Sequence, residues 1–189
     1  MTVRLQTEGR VESGVLLEVT DLATHFRTER GMVRAVDGVT FTLERGRALG
    51  VVGESGSGKT VLSRTIMGLL PSNARTSGSV RFAGQEVLGL DPNHMRHLWG
   101  REMSMVFQNP MTSLNPLMKV GRQIAEPLQI HLGMDRTAAH ETVLQLLRDV
   151  RIPEPERRLD QYPHELSGGM RQRVMIAIAL ACDPALLVA

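Results

Sequence analysis

Eight consecutive residues, Gly53-Glu54-Ser55-Gly56-Ser57-Gly58-Lys59-Thr60, constrain this chain more than any other stretch. They satisfy G-x-x-x-x-G-K-[ST] at every required position. The apolar run Ala48-Leu49-Gly50-Val51-Val52 before them reads as a buried parallel strand, and Val61 to Leu70 after them reads as a helix stopped at Pro71. Strand, glycine loop and helix in that order form a phosphate cradle. The glycines let the backbone curl so that successive N–H groups point at phosphate oxygens, and the helix N-terminus adds its positive end. All eight residues are therefore predicted to hold a nucleoside triphosphate. Lys59 reaches for the β- and γ-phosphates and the Thr60 hydroxyl for Mg²⁺. Of 22 basic residues only Lys59 and Lys119 are lysines. A compact ammonium thus stands where a broad guanidinium fork would not serve.

The 189 residues suffice for one domain with a real core. No apolar run nears the roughly 20 residues that cross a bilayer, and the N-terminus lacks the pattern of a signal peptide. A cytoplasmic protein is expected, reaching the membrane only through a partner. The single cysteine, Cys182, allows neither an internal disulfide nor a cysteine metal cluster, and the six histidines lack metal-binding spacing. Scattered arginines, a net charge of +2 and 3% aromatic residues give no nucleic-acid footprint.

Residues 1–14 are polar and without periodicity, which predicts a flexible arm. Leu17 and Val19, then Val39, Phe41 and Leu43, suggest two antiparallel strands, with a turn at Glu44-Arg45-Gly46. Ser79 to Phe82 reads as a strand, and so does Met103 to Phe107, which must end before Pro110. Ala139, Val143, Leu146, Leu147 and Val150 recur at helical spacing behind Asp135, a suitable N-cap. Arg151 to Pro163, with three prolines, reads as a connection. Leu166-Ser167-Gly168-Gly169-Met170-Arg171-Gln172-Arg173 then runs into an apolar helix, Val174 to Ala181, followed by Asp183-Pro184 and a strand from Leu186. Met95, Met103, Met105 and Met111 near Trp99 are expected to fill core, and Cys182 to be a small buried hydrophobe.

The order of the phosphate loop, Gln108 and Leu166-Ser167-Gly168-Gly169 resembles the ATP-binding subunits of ABC transporters. Phe107 to Pro116, Tyr162-Pro163-His164-Glu165 and Arg34 to Val39 are similar to the dipeptide, oligopeptide and nickel importer branch. The resemblance implies an α/β P-loop NTPase fold of the ABC type over residues 15–189, with an antiparallel β portion and a helical subdomain over about 121–161. It implies that Phe26 stacks on adenine, although a strand residue packed in the core reads the same way. Gln108 would contribute an oxygen to Mg²⁺ and approach the attacking water, the plain alternative being a solvated loop glutamine. Ser167, Gly168, Gly169 and Gln172 would bind the γ-phosphate of ATP held by a second ATP-binding subunit, identical or homologous. A plain helix cap is the other reading. Further implied partners are membrane permease subunits and, through them, an extracytoplasmic solute-binding protein, with the subunit peripheral on the cytoplasmic face of the plasma membrane.

The family places an aspartate and a glutamate directly after the strand at Leu186 to Ala189, for Mg²⁺ and for the attacking water. Neither is among these 189 residues. The expectation is a C-terminally incomplete cassette, a piece of a longer subunit in preference to the product of a truncated gene, that binds ATP but hydrolyses little by itself. Two other classes fit the residues less well: a non-hydrolytic nucleotide-binding regulator, and a soluble ABC ATPase outside transport. Members of the latter class carry long coiled-coil insertions or paired cassettes.

Overall fold

The computed structural model describes residues 14–29, 31–108 and 113–189. The predicted arm, Gly14 apart, lies outside the described residues, as do Met111 and the middle of the Phe107 to Pro116 stretch. The chain divides into two compact units, Met1–Met95 and Arg96–Ala189.

The first unit is built on a long antiparallel hairpin, β1 (Val15–Thr28) and β2 (Gly31–Glu44). To it are added β3 (Ala74–Phe82) and β4 (Gln85–Glu86), giving the sheet order β2-β1-β3-β4. The two predicted antiparallel strands are β1 and β2, paired Leu17 to Leu43 and Val19 to Phe41. Helix α1 (Lys59–Ile66) starts at the phosphate-loop lysine itself and ends four residues short of the predicted Leu70. Leu17, Val19, Leu22, Val36, Leu62, Ile66, Met67, Val80 and Phe82 are buried, so strands and helix share an apolar core.

The predicted strand at Ala48 to Val52 is not formed. The run is extended in sequence character, but it pairs with none of the described strands, and Val52 is 67% exposed. Apolar content alone does not make a strand, because ladder hydrogen bonds need a neighbour.

A buried polar contact ties α1 to the sheet. Thr24 and Thr65 are 0% and 2% exposed, with their hydroxyls 2.8 Å apart. Thr65 gives its only hydrogen to the Val61 carbonyl at 2.7 Å, so Thr24 is the donor of the pair. Thr65→Val is therefore expected to cost about 1–3 kcal/mol by stranding a buried donor, whereas Thr24→Val costs less and the double variant recovers most of the loss. Urea denaturation of the four proteins measures the cycle.

In the second unit β5 (Met103–Met105) and β6 (Leu186–Val188) pair in parallel. Helix α2 (Pro92–Leu98) precedes β5 and carries the boundary between the units. Three longer helices follow: α3 (Val120–Leu132), α4 (Arg136–Asp149) and, after the short α5 (Pro155–Arg158), α6 (Gly168–Leu180). Ala139, Val143 and Leu147 lie one turn apart and are buried, as the helical spacing requires. Asp135 caps α4, its carboxylate accepting the Ala138 N–H at 2.9 Å. Val120, Ile124 and Leu128 of α3 and Val174 and Ala177 of α6 complete the core. The stretch expected to be a plain connection, Arg151 to Pro163, instead contains α5 and enters a 3-10 turn at Pro163–Glu165, because prolines at the first position of a turn are preset for it. Met95 and Met103 are buried as expected, and burial pushes the Cys182 thiol up from its ordinary pKa. No helix among the described residues is long and apolar enough to cross a membrane.

Candidate functional site

The phosphate loop lies in the first unit and closes around its own lysine. Nζ of Lys59 donates to the Gly53 and Glu54 carbonyls, each at 2.7 Å, and to the Ser57 hydroxyl at 3.3 Å. These bonds span the loop and hold the ammonium over it. A turn from Glu54 to Ser57, closed by the Ser57 N–H on the Glu54 carbonyl, shapes the tip. Gly58 is the N-cap residue of α1. Its φ of 90° is left-handed, and a Cβ there would lie 2.1 Å from the Ala35 carbonyl oxygen of β2. No side chain fits at that position. With no capping side chain on Gly58, the amides of Gly58, Lys59, Thr60 and Val61 have no hydrogen-bond partner among the described residues. They are the positive end of a helix dipole directed at the loop.

Phe26 belongs to the same unit. It is half-buried near the end of β1, paired across to Val33 of β2 and Ala74 of β3. Glu54, Ser55, Gly56, Ser57 and Thr60 are exposed, and the Thr60 hydroxyl has no hydrogen-bond partner among the described residues.

The remaining predicted residues belong to the second unit. Gln108 is exposed and follows β5 at its carboxyl end, where the Val106 N–H extends the parallel ladder to the Val188 carbonyl. Ligands bind at that end of parallel strands because the loops diverge there. Ser167 caps α6, its Oγ accepting the Met170 N–H at 3.3 Å. Gly168 and Gly169 form the exposed first turn, and Gln172 is exposed one turn further on. Neither glycine has a positive φ, and a Cβ on either would meet nothing within 4 Å. Among the described residues nothing requires a glycine at either position.

Two residues that the sequence reading did not single out build the platform for this turn. Arg171 donates from Nε to the carbonyls of Pro163 at 2.7 Å and Leu166 at 3.0 Å, pinning the preceding 3-10 turn onto α6. Arg173 donates to the carbonyls of Val150 and Arg151, which end α4. No spacing rule signals such reach. Gln123 was findable: it sits on the stripe of Val120, Ile124 and Leu128, where a polar residue implies satisfied hydrogen bonds. Its amide accepts the Asn115 N–H and donates to the Asn115 and Met118 carbonyls, fastening the loop beyond Gln108 to α3.

A family model described as ABC transporter matches residues 36–189. The chain belongs to the ABC transporter family. Among curated relatives it is 51% identical over 189 residues to a probable peptide ABC transporter ATP-binding protein, y4tR, of Sinorhizobium fredii, covering 99% of this chain and 56% of that one. It is 50% identical over 183 residues to the oligopeptide transport ATP-binding protein OppD of Salmonella typhimurium, covering 97% and 55%. The chain thus spans about half the length of the curated relatives it matches. Among solved structures it is similar to the bacterial ABC transporter cassette MJ0796, determined as a dimer. In the post-hydrolysis state bound to ADP and Pi that cassette gives a TM-score of 0.79 at 25% identity, covering 91% of this chain and 72% of that one. The ABC-type fold expected from the sequence is therefore the fold observed.

Proposed function

We propose that this chain is the nucleotide-binding part of an ATP-driven oligopeptide importer. In this reading ATP lies between the phosphate loop of one subunit and Ser167, Gly168, Gly169 and Gln172 of a second. The observation that carries it is the pair Gly168–Gly169, two adjacent glycines that neither backbone conformation nor packing among the described residues requires. A close approach from outside explains them, and exposed amides at a helix start suit an anion. The dimeric cassette among the structural neighbours supports a partner of the same kind.

Within one subunit, Lys59 and the α1 amides bind the phosphates and Phe26 stacks on the base. Thr60 and Gln108 offer side-chain oxygens, the donor type that a hard cation such as Mg²⁺ takes alongside waters and phosphate oxygens. The ion would supply charge neutralisation at the phosphates. The loop after Gln108 and the helices over about 121–161 would meet the permease subunits. The protein would thereby sit at the cytoplasmic face of the membrane, with a solute-binding protein choosing cargo on the other side.

The names of the relatives favour peptides over nickel as cargo. Uptake assays test this in cells whose own copy carries Lys59→Ala. Loss of labelled oligopeptide uptake with nickel uptake intact is the expected result, and the reverse would reassign the cargo.

A further inference from the structure

Around Asp21 strand β1 carries one residue more than either neighbour; the offset persists against β3 as far as Phe26, whereas β2 recovers it by taking three steps from Val39 to Val36 and two from Val36 to Arg34 where β1 takes two and one. From Thr20 to Ala23 it takes three steps while β3 takes two, Ser79 to Ser77. From Val19 to Leu22 it takes three while β2 takes two, Phe41 to Val39. The extra residue shifts the alternation by one: Leu17 and Val19 are the buried alternating pair before the bulge and Leu22 and Thr24 after it, with Leu16 and Ala23 buried on the other face as well. All three strands contribute to the bulge. Asp21 takes a left-handed φ of 47°, uncommon for a residue with a side chain. Its N–H donates to the Thr40 hydroxyl at 2.8 Å. Opposite, Gly78 has φ 95°, and a Cβ there would lie 2.3 Å from the Asp21 carbonyl oxygen and 2.6 Å from that of Thr20.

We infer that this bulge is a positioning device that turns Phe26 toward the nucleotide, an inference resting on Phe26 as the base-stacking residue. After the flip, Thr24 faces α1 and bonds Thr65, and Phe26 follows on the same face. The β2 partner of Phe26, Val33, stands two residues from Ala35, whose carbonyl abuts Gly58 of the phosphate loop. Two strand residues span about 7 Å, within reach of a nucleotide anchored on that loop. Counted from Thr20 opposite Ser79 without the extra residue, His25 rather than Phe26 would oppose Ala74 and face the loop. The device acts through backbone geometry, and the Asp21 carboxylate is dispensable to it.

The test compares affinities of the full chain for MgATP and for inorganic triphosphate, which lacks a base. Phe26→Ala is expected to lower ATP affinity about 5- to 150-fold, the worth of one aromatic–base stack, and to leave triphosphate unchanged. Asp21→Val, β-branched and unable to hold the left-handed conformation, is expected to lower ATP affinity alone and to add nothing in the Phe26→Ala background. Asp21→Gly keeps the conformation and is expected to bind as wild type. Thr40→Val, which removes the hydroxyl holding the bulge without changing side-chain shape, provides the same comparison if Asp21→Val does not fold. Equal losses for both ligands, additivity with Phe26→Ala, or a loss in Asp21→Gly would overturn the inference. No effect of Phe26→Ala on ATP would overturn the base-stacking reading beneath it.

Discussion

Lys59→Ala is expected to lower ATP affinity by about 10- to 150-fold, because charge-assisted hydrogen bonds to phosphate are worth roughly 1.5–3 kcal/mol. The fold should survive the change. The three bonds that Lys59 makes within the protein go to exposed loop atoms, which water can satisfy in its absence. Lys59→Arg is a sharper control. It keeps the charge but replaces a compact ammonium, which fits between the Gly53 and Glu54 carbonyls, by a wide planar fork. Affinity should fall with Arg as well, showing that shape matters along with charge. Gly58→Ala fails in another way: the left-handed φ of 90° and the nearby Ala35 carbonyl penalise the folded loop itself, so melting temperature and binding drop together. Calorimetric titration with MgATP beside thermal melts separates the three variants. Unchanged affinity in Lys59→Ala would remove the phosphate loop from the mechanism.

The residues legible in the sequence are those whose role is local. Ser167 and Asp135 cap helices as a short polar residue before an apolar periodic run must, and Ala139, Val143 and Leu147 lie on one face because 3.6 residues make a turn. What was not legible depends on partners distant in the chain. The bulge at Asp21 leaves no mark in composition, since Leu17 and Val19 and then Leu22 and Thr24 read as one strand with a blurred period. Only pairing with β2 and β3 reveals the extra residue. Ala48 to Val52 shows the converse. Its apolar side chains state a preference for burial, but strand formation requires a neighbouring backbone, which a single segment cannot specify. Nothing local in the sequence marks Arg171 and Arg173 as the donors that hold the carbonyls of Pro163, Leu166, Val150 and Arg151.

The second large effect falls on association and has opposite signs in two measurements. Gly168 and Gly169 open α6 with ordinary helical backbone, and the positions their Cβ atoms would take are open space. Glycine in a helix is unfavourable by up to about 1 kcal/mol relative to alanine. Gly169→Ala should therefore stabilise the isolated chain slightly, raising its melting temperature. If the exposed turn is where a second subunit brings its ATP γ-phosphate, the same methyl group occupies the approach and weakens the ATP-bound dimer. Ser167→Arg goes further, losing the cap on the Met170 N–H and filling the approach with a long side chain. Its ATP-dependent dimer should disappear. ATP binding to the monomer should persist, because the phosphate loop is unchanged. Light scattering with a non-hydrolysable ATP analogue reads the dimer, and calorimetry reads the monomer. A Ser167→Arg protein that still dimerises with the analogue would show that the exposed turn of α6 is a plain helix cap. Gly169→Ala raising stability while lowering dimerisation would show why glycine is placed where no contact among the described residues calls for it.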